Sequence, residues 1–146
     1  MEGHTDSITS MVLDGNILIS GSDDKTIRIW NLFNFTPSGI VGYHNEAIQD
    51  MIFIRESGLL LSVSQDKQIL VWIYQKGELL DQFTKNEDIR CMEYISETAQ
   101  LLLGTDSEFG GILTHQITDY INFFDNDLPR IANMEHFDDY DDVDNN

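Results

Sequence analysis

Cysteine occurs once, at Cys91, so neither an internal disulfide, nor a thiolate zinc cluster, nor a Cys-x-x-Cys redox pair can form within this chain. A reducing intracellular compartment, the cytoplasm first, is the expected home, with nucleus, cytoskeleton or cilium compatible. Basic residues are few as well: 8 Lys and Arg stand against 26 Asp and Glu, a formal charge of −18 over 146 residues. That balance repels phosphate backbones and anionic headgroups, and argues against nucleic acid and membranes as partners. No stretch approaches the ~18 apolar residues of a membrane span. Glu2, His4 and Asp6 stand where a signal peptide would carry a basic start and an apolar core. Helical spacing of apolar residues is poor everywhere. The hydrophobic fraction of 41% is nevertheless that of a chain that folds.

Catalytic and ligand-binding patterns are missing too. There is no Gly-x-Ser-x-Gly elbow, and Gly110-Gly111 lacks the following Lys and helix start of a phosphate loop, so it reads as a strand-to-strand turn. His115 and His136 have no second ligand at helical or hairpin spacing, and no metal is expected. Asp125-Asn126-Asp127 begins like a calcium loop, but Pro129 and Arg130 occupy the places of a ligand and of the turn glycine. No cofactor is expected.

What is present is a repeat. Ile17 to Trp30, ILISGSDDKTIRIW, aligns with Leu59 to Trp72, LLLSVSQDKQILVW, at a constant offset: Ser20 meets Ser62, Asp24 meets Asp66, Lys25 meets Lys67 and Trp30 meets Trp72. Upstream, His4 and His44 each precede a short apolar alternating segment. A weaker third copy runs through Ile89 to Ile95, Leu101 to Gly104 and Ile112 to Ile117, with His115 in the tryptophan's place and Glu108 roughly in the aspartate's.

Each copy consists of short Ile, Val, Leu and aromatic segments broken by Asp, Asn, Gly or Ser, which are strand and turn signals. Segments such as Leu59-Leu60-Leu61 are apolar on both faces, as strands are when buried between two other sheets. Four strands per copy are predicted, with the outer ones near Gly39 to Gly42, Glu78 to Phe83 and Tyr120 to Phe124. Pro37 and Pro129 both fall outside the proposed inner strands.

Gly3-His4, Ser20-Gly21-Ser22-Asp23-Asp24 and Ile27-Arg28-Ile29-Trp30-Asn31 resemble the WD-repeat family, whose blades place a Gly-His before the first strand and a Trp-Asp at the end of the third. Asn31 replaces the usual aspartate, and the second copy, Tyr43-His44 and Trp72-Ile73, is looser. The resemblance implies an all-β fold, a partial β-propeller of about three four-stranded antiparallel blades over residues 1–43, 44–84 and 85–124. An acidic, disordered tail over 125–146 is expected to follow. The resemblance also implies a hydrogen-bonded chain in each clear blade: Asp24, His4, Ser20 and Trp30, then Asp66, His44, Ser62 and Trp72. Buried indole, imidazole, hydroxyl and carboxylate groups need partners, and a closed chain supplies all of them. A Ser, His and Asp together also suggest a hydrolase triad. The arrangement recurs at one period with its serine inside a strand, which favours a structural role.

By family resemblance, protein partners dock on the rim, here Thr5, Asp6, Asp23, Lys25, Asn45, Glu46, Gln65 and Lys67. The functional expectation is a non-enzymatic scaffold for protein–protein interaction within a larger complex. A ubiquitin-ligase substrate receptor and a cytoskeletal or ciliary component are the alternatives. The receptor reading is weakened because neither Trp30 nor Trp72 begins a Trp-Asp-x-Arg pattern. From Asp119 onward nine carboxylates accompany one base, Arg130, a solvated block or else a docking strip for a basic partner. Propellers of this type need about four to eight blades to close. Three leave two open flanks, to be covered by a longer parent, another chain or self-association.

Overall fold

A computed structural model describes residues 3–107 and 111–117, and all of their regular structure is β. The first sheet contains β1 (Ile8–Asp14), β2 (Ile17–Ser22), β3 (Thr26–Asn31) and β4 (Thr36–Tyr43) in spatial order 1-2-3-4. The second repeats it with β5 (Ile48–Ile54), β6 (Leu59–Ser64), β7 (Gln68–Ile73) and β8 (Glu78–Thr84). The third has β9 (Ile89–Ile95), β10 (Gln100–Thr105) and β11 (Gly111–Gln116). All neighbouring pairs are antiparallel. The fourth strand expected at Tyr120 to Phe124, and the acidic segment after it, lie outside the described residues.

Local chemistry accounts for the meander. The two residues Gly15 and Asn16 join β1 to β2, with Gly15 at the positive φ of 55° that a tight hairpin requires. Between β2 and β3 the chain turns through Ser22 to Lys25, where the Lys25 N–H donates to the Ser22 carbonyl. Lys25 itself is at φ 72°, and its repeat partner Lys67 at φ 65°. That conformation is costly for a residue with a Cβ. It is held because the preceding aspartate caps the turn, the Thr26 N–H donating to Asp24 and the Gln68 N–H to Asp66 at 2.9 Å each. Pro37 lies in β4, the outer edge strand of its sheet, where a missing donor does not break a ladder.

The sheets stack in sequence order with β1, β5 and β9 side by side along the inner edge. Alternation in the middle sheet sends Leu59, Leu61, Val63, Ile69 and Val71 toward the third sheet, where they meet Ile89, Met92, Leu101 and Leu103. Leu60, Leu70 and Trp72 point the other way, against Ile19, Ile27 and Val41 of the first sheet. Sheet two is therefore apolar on both faces because both are covered.

Candidate functional site

The strand register brings the repeated polar residues together. In the first sheet the Trp30 Nε1–H donates to Ser20 Oγ at 2.7 Å, Ser20 Oγ lies 2.7 Å from His4 Nε2, and His4 Nδ1 lies 2.8 Å from Asp24 Oδ2. The second sheet repeats the chain at 2.8, 2.7 and 3.1 Å through Trp72, Ser62, His44 and Asp66. A carboxylate accepts only, so Nδ1 carries the imidazole proton and Nε2 accepts from the serine hydroxyl, whose oxygen in turn accepts from the indole. Every group in each chain is satisfied. Both serines have no exposed surface, and each Oγ is enclosed between an indole and an imidazole. Neither oxygen can reach a substrate, although the sequence Asp, His, Ser has the connectivity of a hydrolase triad.

Thr26, which sequence patterning did not single out, extends the first chain: its hydroxyl donates to Asp24 Oδ1 at 2.6 Å. Burial pushes the Asp24 carboxyl up. Hydrogen bonds from the Thr26 hydroxyl, the Thr5 N–H, His4 and the Thr26 N–H outweigh that and hold it far below the usual carboxylate range. Burial also draws the His44 imidazole below its ordinary 6.5, with the Asp66 carboxylate pulling the other way. His44 is thus neutral at pH 7.

The third sheet has no such chain. Its register sets His115 opposite Leu101, as Trp72 is opposite Leu60, and sets Leu103 opposite Met92, as Ser62 is opposite Met51. Lys85 takes the histidine's place, its N–H donating to the Lys67 carbonyl as the His44 N–H donates to the Lys25 carbonyl. Glu108 lies outside the described residues. The Asp106 N–H donates to the Asp88 carbonyl, the counterpart of Asp23 to Ser7 and Gln65 to Ala47, so Ser107 occupies the aspartate's place.

The rim residues are not equivalent. Lys25 Nζ donates to the Asn45 carbonyl at 2.8 Å and pairs with Glu46 at 3.2 Å, joining sheet one to sheet two. Lys67 does the same one repeat later, to the Asn86 carbonyl and Asp88, at 3.1 Å each. The Thr5 and Asn45 N–H groups donate to Asp24 and Asp66. Asp6 accepts from the Ser7 N–H. Thr5, Asp6, Asn45, Glu46 and Gln65 are exposed, and Asp23 is half-buried.

At the opposite end the Tyr74 hydroxyl donates to Asp14, and Arg55 donates to the Leu13 carbonyl at 3.0 Å. Burial, then the Asp14 carboxylate, raise the Tyr74 phenol well above its ordinary 10.0. Along the inner edge, Ser10 Oγ accepts from the Met51 N–H at 3.1 Å, and Asp50 accepts from the Met92 N–H at 2.7 Å. Nothing in the motif signals Tyr74, Ser10 or Asp50, because their partners lie a whole repeat away. Among the described residues no three His, Cys, Asp or Glu side chains converge as a metal site, and no helix is long and apolar enough to cross a membrane.

Comparison with known proteins agrees with this geometry. A family model described as WD domain, G-beta repeat, matches residues 1–31. Cell division control protein 4 of Candida albicans is 35% identical over 80 residues, 54% of this chain and 12% of that protein. Small ribosomal subunit protein RACK1 of Schizosaccharomyces pombe is 35% identical over 92 residues, 57% and 29% of the two chains. DDB1- and CUL4-associated factor 13 of Dictyostelium discoideum is 30% identical over 92 residues, 61% and 20%. The chain therefore spans less than a third of each of these relatives. A chain in the crystal structure of a mitotic checkpoint complex superposes with a TM-score of 0.71 over 80% of this chain and 37% of its own, at 19% identity, a likeness of fold.

Proposed function

This chain belongs to the WD-repeat β-propeller family, and from that premise we propose that it acts as a non-catalytic scaffold that docks protein partners on its rim. Its polar tetrads tie sheets together internally and take no part in chemistry. The observation that carries the reading is the closure of both tetrads: each serine, whose hydroxyl would be the nucleophile of a hydrolase triad, is fully buried and hydrogen-bonded on two sides.

The rim suits a partner with a basic surface. Lys25 and Lys67 are engaged in contacts between sheets, Lys25 with Glu46 among its partners, while Asp6 and Asp23 add negative charge beside them on a chain of net charge −18. Complementary charge of this kind raises encounter rates and discriminates between partners. Reversing Asp6, Asp23 and Glu46 together to Lys should remove bound proteins from a pull-down with the full chain. Retention of every partner refutes the rim as the docking surface.

A subunit presenting substrates to a ubiquitin ligase is the second reading. It draws on the likeness to a relative named for association with DDB1 and CUL4. Co-purification of ligase subunits that survives the triple reversal favours it over the rim scaffold.

A further inference from the structure

Two turns at the end away from the rim share one backbone and differ in what they present to water. Residues 32–35 join β3 to β4, and residues 74–77 join β7 to β8. The last position is left-handed in both, Phe35 at φ 55° and Gly77 at φ 66°. Repeat two fills its turn with Gln75, Lys76 and Gly77, the polar and flexible residues that an exposed turn favours. Repeat one sets Phe33, Asn34 and Phe35 at the same places. Phe33 is 84% exposed and Phe35 66%.

Folding does not account for these rings. Phe35 adopts a conformation that glycine reaches freely and a side chain with a Cβ reaches only at a cost, and its ring recovers little of that by burial. Polar groups close the turn. The Phe33 N–H donates to Asn31 Oδ1 at 2.8 Å, and Asn34 Oδ1 accepts from the Thr36 N–H at 3.2 Å and from its hydroxyl at 2.7 Å. The Leu32 N–H donates to the Asn16 carbonyl at 2.8 Å and ties the turn to the neighbouring hairpin. Backbone strain kept at an exposed aromatic is a mark of use, not of packing.

Charge is missing from the same place. Asp, Glu, Lys and Arg make up 23% of the chain, yet none occurs over residues 29–45. The corresponding stretch of repeat two carries Lys76, Glu78, Asp81 and Lys85. Outer edge strands are ordinarily protected by charge, as β8 is by Glu78 and Asp81, whereas β4 exposes Ile40 and Tyr43. Aromatic side chains with charge depleted around them have the composition of an interface core.

We propose that the turn of residues 32–35, with Phe33 and Phe35 as anchors, docks into an apolar cleft of a partner protein. A turn is convex, so the occupant is concave: a cleft lined by aliphatic or methionine side chains with room for two rings. Its floor carries no Lys or Arg, because a cation buried there would meet no carboxylate from residues 29–45. A second copy of this chain is repelled by the shared charge of −18, and anionic lipid is repelled in the same way. The preformed turn lowers the ordering cost of binding. This surface lies at the opposite end of the sheets from Asp6 and Asp23, so it and the rim fail independently.

Phe33→Gln and Phe35→Gly give repeat one the residues that repeat two already carries. Both variants should fold, with melting temperatures equal to or above that of the parent chain. A lowered melting temperature in either shows that the rings serve packing and overturns the proposal. To find the partner, Phe33 of the full chain is replaced by p-benzoylphenylalanine, the cells are irradiated, and the attachment point on the captured protein is mapped by mass spectrometry. The expected adduct is to one protein, at a residue lining an aliphatic cleft. Its yield should fall by about tenfold or more with Phe35→Gly, as loss of an aromatic anchor does, and should persist when Asp6, Asp23 and Glu46 are reversed to Lys. Attachment to lipid, to a second copy of this chain or to a basic surface overturns the proposal. So does a yield indifferent to Phe35→Gly, a yield lost on the rim reversal, or the absence of any adduct.

Discussion

The Phe83 ring stacks on the His115 imidazole, centroids 4.2 Å apart and planes 20° from parallel. The same junction one repeat earlier is filled in the opposite sense. Gly42 occupies the strand position of Phe83, and Trp72 that of His115. A Cβ on Gly42 would collide with the Trp72 indole. Bulk has moved from the third strand of one blade to the outer strand of its neighbour, and the junction stays filled.

This size exchange should appear as coupling between the two positions. His115→Trp alone overpacks against Phe83, and a loss of about 1 to 3 kcal/mol is expected. Combining it with Phe83→Gly should recover part of that loss, and urea denaturation of the four variants gives the cycle. Additive effects would show that the two sites do not share one space.

Ser20→Ala and Ser62→Ala each leave an indole N–H and an imidazole nitrogen buried without a partner. The expected loss is about 1 to 3 kcal/mol per site, read as a fall in the urea midpoint with partner binding on the rim unchanged. A loss near zero at both sites would show that the tetrads do not hold the sheets.

Stability should depend on pH in two windows. The His44 imidazole is held below 6.5, so the unfolded chain binds its proton first. Its contribution is complete above pH 6.5 and is lost as pH falls toward the lowered folded value. His115 acts in the same direction, lowered by burial and then by Lys85. Asp24, held below its ordinary 3.8, contributes fully above that value and loses it in stronger acid. Melting temperatures from pH 8 to 5 should therefore fall, and less steeply in His115→Asn, which removes one titrating group. An identical slope in that variant would leave the decline to His44 alone.

Contacts between sheets should separate by burial. Tyr74 is buried and donates to Asp14 across the junction, so Tyr74→Phe should cost about 1 to 2 kcal/mol. The Lys25–Glu46 pair is about half exposed, so Lys25→Met should change the midpoint by less than about 1 kcal/mol, and by less still in high salt. Equal effects would mean that the junction is held electrostatically at its rim.

Much of this architecture was legible from Ile17 to Trp30 and Leu59 to Trp72 alone. Strand alternation, turn residues and a constant offset are local signals, and the polar quartets ride on them. The third repeat was harder to place. Glu108 is the aspartate's expected counterpart, whereas backbone hydrogen bonds put Ser107 there: Ser107 precedes His115 by eight positions where Asp66 precedes Trp72 by six, so the turn has gained two residues and only strand pairing fixes the count.

The amino-acid sequence by itself determined the strands, their period and which polar groups have to find partners, because those follow from side-chain alternation and from the penalty on unpaired buried groups. Tertiary structure alone decided what lies across each junction: Tyr74 on Asp14, Asp50 on the Met92 N–H, and Met51 covered while Met11 stays open. These contacts join residues about a full repeat or more apart, and packing of one sheet on the next, rather than any local pattern, brings them within reach.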